Sequence, residues 1–160
     1  GIYLFEDRFS EEEIRENFNF YEPKTVHESS LSPCIHSILA ARIGDHDRSY
    51  NLYLRTSRLD LDDYNNEVNE GLHITSMAGT WMSIVEGMAG VRVIDGKLSV
   101  RPMIPKKWKS YSFQIFFKEQ LDAISESLKY APRTCLVRPH AVLHTGNDFS
   151  LEPHHQHGDD

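Results

Sequence analysis

Residues 71–81 read GLHITSMAGTW and place one histidine, two hydroxyl side chains and several small residues at the predicted start of a helix. Thr75 or Ser76 can serve as the N-cap, because a hydroxyl oxygen accepts a hydrogen bond from the first turn. We expect the helix to be buried and to end at Gly87 or Gly90. The apolar residues that recur at helical spacing on one face are Met77, Trp81, Ile84, Val85 and Met88.

The start of this helix is also suited to an anion. A helix N-terminus carries unpaired backbone N–H groups and the positive end of the peptide dipoles, and His73, Thr75 and Ser76 add an imidazole and two hydroxyls. Phosphate or sulfate fits such a pocket. The alternative is structural: the hydroxyls cap a core helix, and His73 is a half-buried histidine with partners inside the protein.

Composition limits the classes of protein to consider. The chain has 160 residues, 39% apolar and 26% charged, which is typical of one globular domain or a piece of one. A net charge of −7 without a basic run argues against binding to nucleic acid or to an anionic membrane. Cys34 and Cys135 form neither a CxxC nor a zinc-ligand pattern, and no stretch approaches membrane-spanning length, so we expect a cytoplasmic protein.

A capping box predicts the first helix. Ser10 and Glu13 stand three residues apart, as that motif requires. The helix that follows should bury Ile14 and Phe18 and end before Pro23. The next stretch, NFYEPKTVHESSLSP, contains many polar side chains and no glycine, so we expect a loop of defined conformation.

Two further helices should form an antiparallel pair. Ser32 is the predicted N-cap of one, with Pro33 at its first helical position, and this helix runs to Gly44. The other starts near Asp45, and its predicted apolar face includes Tyr50. The same face carries Tyr53 and Leu54.

From residue 91 the pattern becomes that of β-strands. VRVI and KLSV flank Asp95 and Gly96, a pair typical of a two-residue hairpin turn. Residues 111–117 place aromatic or aliphatic side chains at every second position. This alternation predicts a strand with one strongly buried face, formed by Tyr111, Phe113, Ile115 and Phe117. Residues 119 to about 130 could form a weak helix, and we expect residues 131–160 to be poorly ordered.

No metal site is predicted. His27 and Glu28 begin a zinc-protease motif, but Leu31 stands where the second histidine should be. Asp60, Asp62 and Asp63 resemble a calcium loop, but Tyr64 occupies a ligand position. These aspartates are better interpreted as a solvated loop or as partners for Arg55 and Arg58. The histidines near the C-terminus are expected to lie in the poorly ordered tail.

Three long segments resemble the C-terminal part of the inverting α-glucoside phosphorylases of glycoside hydrolase family 65. They read FYEPKTVHESSLSPCIHSILAARIGD, RTSRLDLDDYNNEVNEGLHITSMAGTWMSIVEGMAGVRV and DGKLSVRPMIPKKWKSYSFQI. Members act on maltose, trehalose, kojibiose or nigerose. The resemblance implies a mainly α fold with a C-terminal β portion: residues 1–90 are the last helices of a catalytic (α/α)6 barrel, residues 91–118 begin a β-sandwich, and residues 119–160 are an atypical tail. Such a chain is incomplete as a single domain.

The resemblance also implies a reaction. In this family inorganic phosphate, a co-substrate rather than a cofactor, attacks the sugar with inversion and gives β-glucose 1-phosphate and glucose. The general acid is expected upstream, so this chain holds no catalytic residue. His73, Thr75 and Ser76 match the phosphate site, and phosphate should keep His73 protonated, so affinity should fall as pH rises. The possible active-site loop contributes Tyr21, Glu22, Lys24, His27, Ser29 and Ser30.

Two alternatives to a phosphorylase stay open. One is an inverting hydrolase of the same fold, which would use water and a carboxylate base. The other is a truncated, non-catalytic fragment. For most polar side chains of the loop, hydrogen bonds that make the loop rigid are a structural alternative to contact with substrate. The resemblance implies a homodimer for the intact enzyme.

Overall fold

The computed structural model describes residues 1–64, 66–117, 120–127, 134–138, 141–142 and 149–150, with side chains as far as Phe117. The chain divides into two compact units, Gly1–Gly90 and Val91–Asp160. The first unit is helical and the described part of the second is made of antiparallel strands. This confirms the expected order, mainly helical and then β.

The described residues of the first unit form four α-helices and short 3-10 turns. In the described part of the chain, no helix is long and apolar enough to cross a membrane. The helices are α1 (Glu11–Tyr21), α2 (Ser32–Arg42), α3 (His46–Ser57) and α4 (Ile74–Met82), which continues as a π-helical turn over Ser83–Met88. The 3-10 turns are Tyr3–Arg8, Glu22–Lys24 and Val68–Glu70.

The capping box of α1 is confirmed. The Ser10 hydroxyl accepts from the backbone N–H of Glu13 at 3.2 Å, and the Ser10 N–H donates to the Glu13 carboxylate at 2.8 Å. Ile14 and Phe18 are buried as predicted and join a core with residues of α2 and α3. Leu39, Ala40, Ile43 and Leu52 complete that core.

Helices α2 and α3 form the predicted antiparallel pair. Gly44 takes a φ of +80° in the turn between them, and Asp45 caps α3 by accepting from Arg48 N–H at 3.1 Å. Inside the pair, the Ser37 hydroxyl donates to the carbonyl of Ser49 at 2.8 Å. The buried face of α3 differs from the prediction, because it consists of Ser49, Leu52 and Thr56 while the predicted tyrosines and Leu54 are half-buried.

The start of α2 lies one residue earlier than predicted. Leu31 is the N-cap and makes no side-chain cap. Ser32 is the first helical residue, and its hydroxyl lies 2.9 Å from His27 Nδ1. The serine therefore holds the preceding loop instead of capping the helix.

Helix α4 departs from the prediction in its start and in its buried face. His73 is the N-cap position and makes no side-chain cap, so Thr75 and Ser76 lie inside the first turn. The buried residues of α4 are Ser76 and Gly79, whereas Met77 and Trp81 are 47% and 54% exposed. The predicted apolar face is buried only in the π-helical turn that follows, where Val85 and Met88 are buried and Ile84 is half-buried.

The reason is the close approach of α4 to α2. A Cβ built on Gly79 would lie 2.8 Å from Cys34 Cβ, so only a small residue fits there. Small residues, rather than the large apolar ones, therefore form the internal contact. The helical segment ends near Gly90, which has a φ of +60°, as expected.

The second unit begins with the predicted hairpin. Strand β1 (Arg92–Ile94) pairs antiparallel with β2 (Lys97–Val100), and Asp95 and Gly96 both have positive φ, as this two-residue turn requires. Strand β7 (Phe149–Ser150) pairs with β2. A second sheet has the order β3 (Ser110–Phe117), β4 (Gln120–Ser127), β5 (Thr134–Arg138) and β6 (Ala141–Val142).

Strand β3 alternates as predicted, but its inner face is half-buried instead of strongly buried. The weak helix expected over 119 to about 130 is wrong, because residues 120–127 form β4 and pair with every residue of β3. Pairing satisfies the backbone groups of β3, which outweighs a weak local helical preference. The tail expected to be poorly ordered, residues 131–160, includes the described strands β5, β6 and β7, and its other residues lie outside the described residues.

Candidate functional site

An aspartate holds His73 at two atoms. Asp60 lies in the turn after α3, and its Oδ1 is 2.5 Å from His73 Nδ1. The backbone N–H of His73 donates to the other carboxylate oxygen at 3.0 Å. Because one carboxylate binds both the ring and the backbone, the imidazole is fixed in orientation. An ionised carboxylate only accepts hydrogen bonds, so Nδ1 is the donor in this contact.

A second carboxylate faces the other ring nitrogen. Glu67 Oε2 lies 3.4 Å from His73 Nε2. Glu67 precedes the 3-10 turn Val68–Glu70, and Gly71 follows that turn with a φ of +114°, a conformation that favours glycine. This turn brings Glu67 back toward His73, six positions further along the sequence.

The two carboxylates favour the protonated form of the histidine. The hydrogen bond that His73 donates to Asp60 is the main cause that raises the pKa of His73, and Glu67 contributes further. The same hydrogen bond lowers the pKa of the Asp60 carboxyl. His73 is therefore disposed to be a cation just before the first turn of α4, and in this structure carboxylates of the protein are the cause.

Thr75 and Ser30 meet across 45 positions of sequence. Their hydroxyl oxygens are 2.9 Å apart, and Thr75 is exposed. The backbone N–H groups of Ile74, Ser76 and Met77 are already paired with carbonyls. Among the described residues of this first turn, Thr75 is thus the one that offers both an accessible hydroxyl and a backbone N–H without a carbonyl partner.

Ser76 lies on the buried side of the helix, unlike the exposed Thr75. It is 2% exposed, and its hydroxyl donates to the carbonyl of Thr56 at 2.7 Å. Thr56 lies in the last turn of α3, where carbonyl groups lack helical partners. In this structure the Ser76 hydroxyl is buried and ties α4 to the end of α3.

Glu22 and His27 hold the loop in place. His27 is buried, its Nε2 is 3.7 Å from Glu22 Oε1, and its carbonyl accepts from Arg55 at 2.9 Å. Glu22 also pairs with Arg48 at 3.4 Å. The ring of His27 meets that of His36 edge-on, with centroids 4.7 Å apart.

Burial chiefly lowers the pKa of both His27 and His36. Both rings are therefore disposed to be neutral, unlike His73. His27 also has a φ of +58°, an uncommon conformation for a residue with a side chain. These contacts support the rigid-loop alternative for Glu22 and His27.

The remaining loop candidates contact their own segment. Lys24 donates to the carbonyl of Phe20 at 2.9 Å, and its ammonium lies over the Phe20 ring in a cation–π contact. Tyr21 meets the same ring edge-on. The hydroxyl of Ser29 accepts from Leu31 N–H at 3.3 Å. Of the six loop candidates, Ser30 is the one with a described contact to the residues at the start of α4.

Asp60 and Glu67 are the site residues that sequence reasoning missed. The acidic segment was interpreted as a solvated loop or as partners for arginines, and Asp62 does bind Arg58 through two hydrogen bonds, at 2.6 and 2.7 Å. Asp60 instead reaches His73, 13 positions away. Among the described residues, no group of histidine, cysteine and acidic side chains could hold a metal ion.

Comparison with known proteins identifies two family matches. Residues 1–82 match the central catalytic domain of glycosyl hydrolase family 65, and residues 91–121 match the C-terminal domain of the same family. The first match covers more than half of the chain and includes His73 and Thr75.

Several phosphorylases are similar to this chain. Maltose phosphorylase of Bacillus subtilis (strain 168) is 57% identical over 121 residues, which is 76% of this chain and 16% of that protein. Alpha,alpha-trehalose phosphorylase of Thermoanaerobacter brockii is 45% identical, over 73% of this chain and 15% of that protein. The chain thus spans about a sixth of the length of these relatives.

A solved structure extends the similarity to the fold. It is a protein from the human microbiome that carries the provisional name kojibiose phosphorylase, and it matches with a TM-score of 0.78 and 33% identity. The match covers 98% of this chain and 24% of the other. The chain therefore belongs to glycosyl hydrolase family 65, and it includes parts of both the central catalytic domain and the C-terminal domain of that family.

Proposed function

We propose that this chain supplies the phosphate-binding side of an inverting α-glucoside phosphorylase, which uses inorganic phosphate to cleave a disaccharide into β-glucose 1-phosphate and glucose. The observation that carries the proposal is the contact between Asp60 and His73, at 2.5 Å, which favours a cationic imidazole beside the first turn of α4. The similarity to maltose, trehalose and kojibiose phosphorylases supports phosphorolysis as the reaction class.

In this proposal, phosphate binds between His73 and Thr75. The imidazolium supplies charge, and the Thr75 hydroxyl and N–H supply hydrogen-bond donors, which is what an anionic nucleophile needs for positioning. Ser30, 2.9 Å from Thr75, orients that hydroxyl and connects the loop to the site. The general acid on the leaving oxygen comes from another part of the protein, on the opposite face of the sugar.

The finer architecture belongs to the same proposal. Residues 1–90 are the last helices of an (α/α)6 barrel, and residues from 91 onward begin a β-sandwich. We further propose that the intact enzyme is a cytoplasmic homodimer that requires phosphate as co-substrate and no metal or organic cofactor. Residues outside this chain select the disaccharide.

A graft into a relative tests the proposal. The 121 residues of this chain that align with the Bacillus subtilis maltose phosphorylase at 57% identity can replace the matching part of that enzyme. The assay measures β-glucose 1-phosphate formed from maltose and phosphate, and free glucose formed without phosphate. His73→Ala should lower kcat/KM for phosphate about 100-fold, the scale of losing one transition-state donor. Thr75→Ala should lower it about tenfold, the scale of a hydrogen bond to a charged group.

His46→Ala is the matched control, because it removes another histidine from the helical unit, at the start of α3. It should leave the phosphate dependence in place. If His73→Ala retained the kinetics of the unmodified graft, the phosphate assignment would be wrong. If the graft released glucose without phosphate and made no glucose 1-phosphate, the hydrolase alternative would replace the phosphorylase.

A further inference from the structure

The two carboxylates on His73 differ in how firmly they are held. Asp60 makes one contact at 2.5 Å and a second at 3.0 Å to the backbone N–H, and its side chain is 14% exposed. Glu67 reaches Nε2 at 3.4 Å, and its side chain is 41% exposed. Asp60 is therefore part of the framework around the ring, whereas Glu67 lies at the edge, where solvent screens its attraction to the ring.

Only one N–H of His73 remains for an anion. A protonated imidazole donates through both of its nitrogens, which point in different directions. Asp60 accepts from Nδ1, so an anion must bind at Nε2. That is the nitrogen that Glu67 faces.

We propose that Glu67 and phosphate compete for His73 Nε2, so that phosphate binds by displacing the Glu67 carboxylate, which returns when phosphate leaves. This inference rests on the proposed function, since it concerns the regulation of the same site. Glu67 lowers the affinity for phosphate and keeps weakly binding anions from Nε2. It also gives the imidazolium a partner between turnovers.

Local geometry allows this exchange without refolding. Rotation of the Glu67 side chain alone moves the carboxylate away from Nε2. The backbone beside it is held independently, because Val68 N–H donates to Asp63 Oδ1 at 3.1 Å and Gly71 N–H donates to the carbonyl of Val68 at 3.2 Å. The turn can therefore stay in place while the side chain moves.

Glu67→Gln tests the competition, and Glu70→Gln is its matched control. Glu70 is exposed and ends the 3-10 turn that Glu67 precedes, so both variants remove one negative charge from the same short segment. Binding of inorganic phosphate is measured by calorimetry at about pH 6, below the ordinary histidine pKa near 6.5. The hydrogen bond to Asp60, which both variants keep, raises the pKa of His73, so this pH favours the protonated ring in all three proteins. A gain in affinity confined to Glu67→Gln therefore reports the loss of the competitor.

Glu67→Gln should bind phosphate about twofold to fivefold more tightly than the unmodified chain, the scale of a solvent-screened ion pair. Glu70→Gln should bind as the unmodified chain does. In the unmodified chain, phosphate should shift the side-chain ¹³C resonance of Glu67 and leave that of Glu70 unchanged. If Glu67→Gln bound equally or more weakly, or if both variants gained equally, the competition would be refuted.

Failure of the proposed function gives a different result. In that case His73→Ala would bind phosphate as well as the unmodified chain, whatever Glu67→Gln does. If neither the unmodified chain nor Glu67→Gln bound phosphate, both proposals would fall. If phosphate binding depends on His73 but not on Glu67, the competition proposal is refuted and the proposed function stands.

Discussion

Replacement of Gly79 by alanine should destabilise the helical unit. A Cβ at this position would lie 2.8 Å from Cys34 Cβ, 2.9 Å from Cys34 Sγ and 3.4 Å from Thr56 Cγ2. Overpacking of a core costs about 1–3 kcal/mol, and the upper part of this range applies because Cys34 Cβ is fixed to the backbone of α2. Alanine regains about 1 kcal/mol of helix propensity. The free energy of unfolding should therefore fall by about 2 kcal/mol.

Gly87→Ala is the matched control. A Cβ at Gly87 would meet its nearest atom, Ile38 Cα, at 3.5 Å, which is ordinary van der Waals contact. This variant should be as stable as the unmodified chain or up to about 1 kcal/mol more stable. The assay is urea unfolding followed by circular dichroism, with both variants and the unmodified chain compared at one pH. Equal stability of the two variants would refute the close approach of α4 to α2.

Three further results are expected. Asp60→Asn should lower the pKa of His73 toward 6.5, measured by NMR titration, because the hydrogen bond that His73 donates to the Asp60 carboxylate is the main cause of the raised pKa; an unchanged pKa would contradict the contact. Ser76→Ala should cost about 1 kcal/mol of unfolding free energy and leave phosphate affinity unchanged, since its hydroxyl donates to the carbonyl of Thr56; a loss of affinity would restore Ser76 to the phosphate site. Burial lowers the pKa of His27 below 6.5 in the folded protein, so as pH falls the unfolded state takes up the proton first. The stability due to neutral His27 is therefore lost as pH falls from about 6.5 through the folded pKa. His27→Gln should reduce this loss of unfolding free energy at acid pH, measured by urea unfolding at several pH values, and an unchanged loss would contradict the burial of a neutral ring.

Local signals predicted much of the backbone. The capping box of Ser10 and Glu13, the Gly44 turn and the hairpin turn at Asp95 and Gly96 each depend on a few neighbouring residues, and the structure confirms all three. Strand β4 was missed because its partner is β3, and a strand of weak propensity is decided by pairing more than by its own sequence.

Helical spacing identified an apolar stripe on α4 but not its environment. Met77 and Trp81 recur at the right interval, yet the contact inside this chain uses Ser76 and Gly79. Periodicity tells which residues share a face, and it does not tell which face meets α2.

The site was predictable only in part. His73 and Thr75 follow from their positions beside a helix start. Their partners do not, because the Asp60–His73 contact spans 13 positions and the Ser30–Thr75 contact spans 45. Such contacts arise from the packing of α4 against the rest of the unit, for which no periodic pattern exists.

Calorimetric titration of the chain with inorganic phosphate tests the central claim most directly. It is performed at about pH 6 and at about pH 9, below and above the usual range for histidine, on the unmodified chain, His73→Ala and the His46→Ala control. We expect binding at the lower pH that weakens at least tenfold at the higher pH, because His73 loses its proton although phosphate itself gains negative charge. His46→Ala should behave as the unmodified chain, and His73→Ala should lose both the affinity and its pH dependence. Binding that strengthens with pH, or that survives in His73→Ala, would contradict the account.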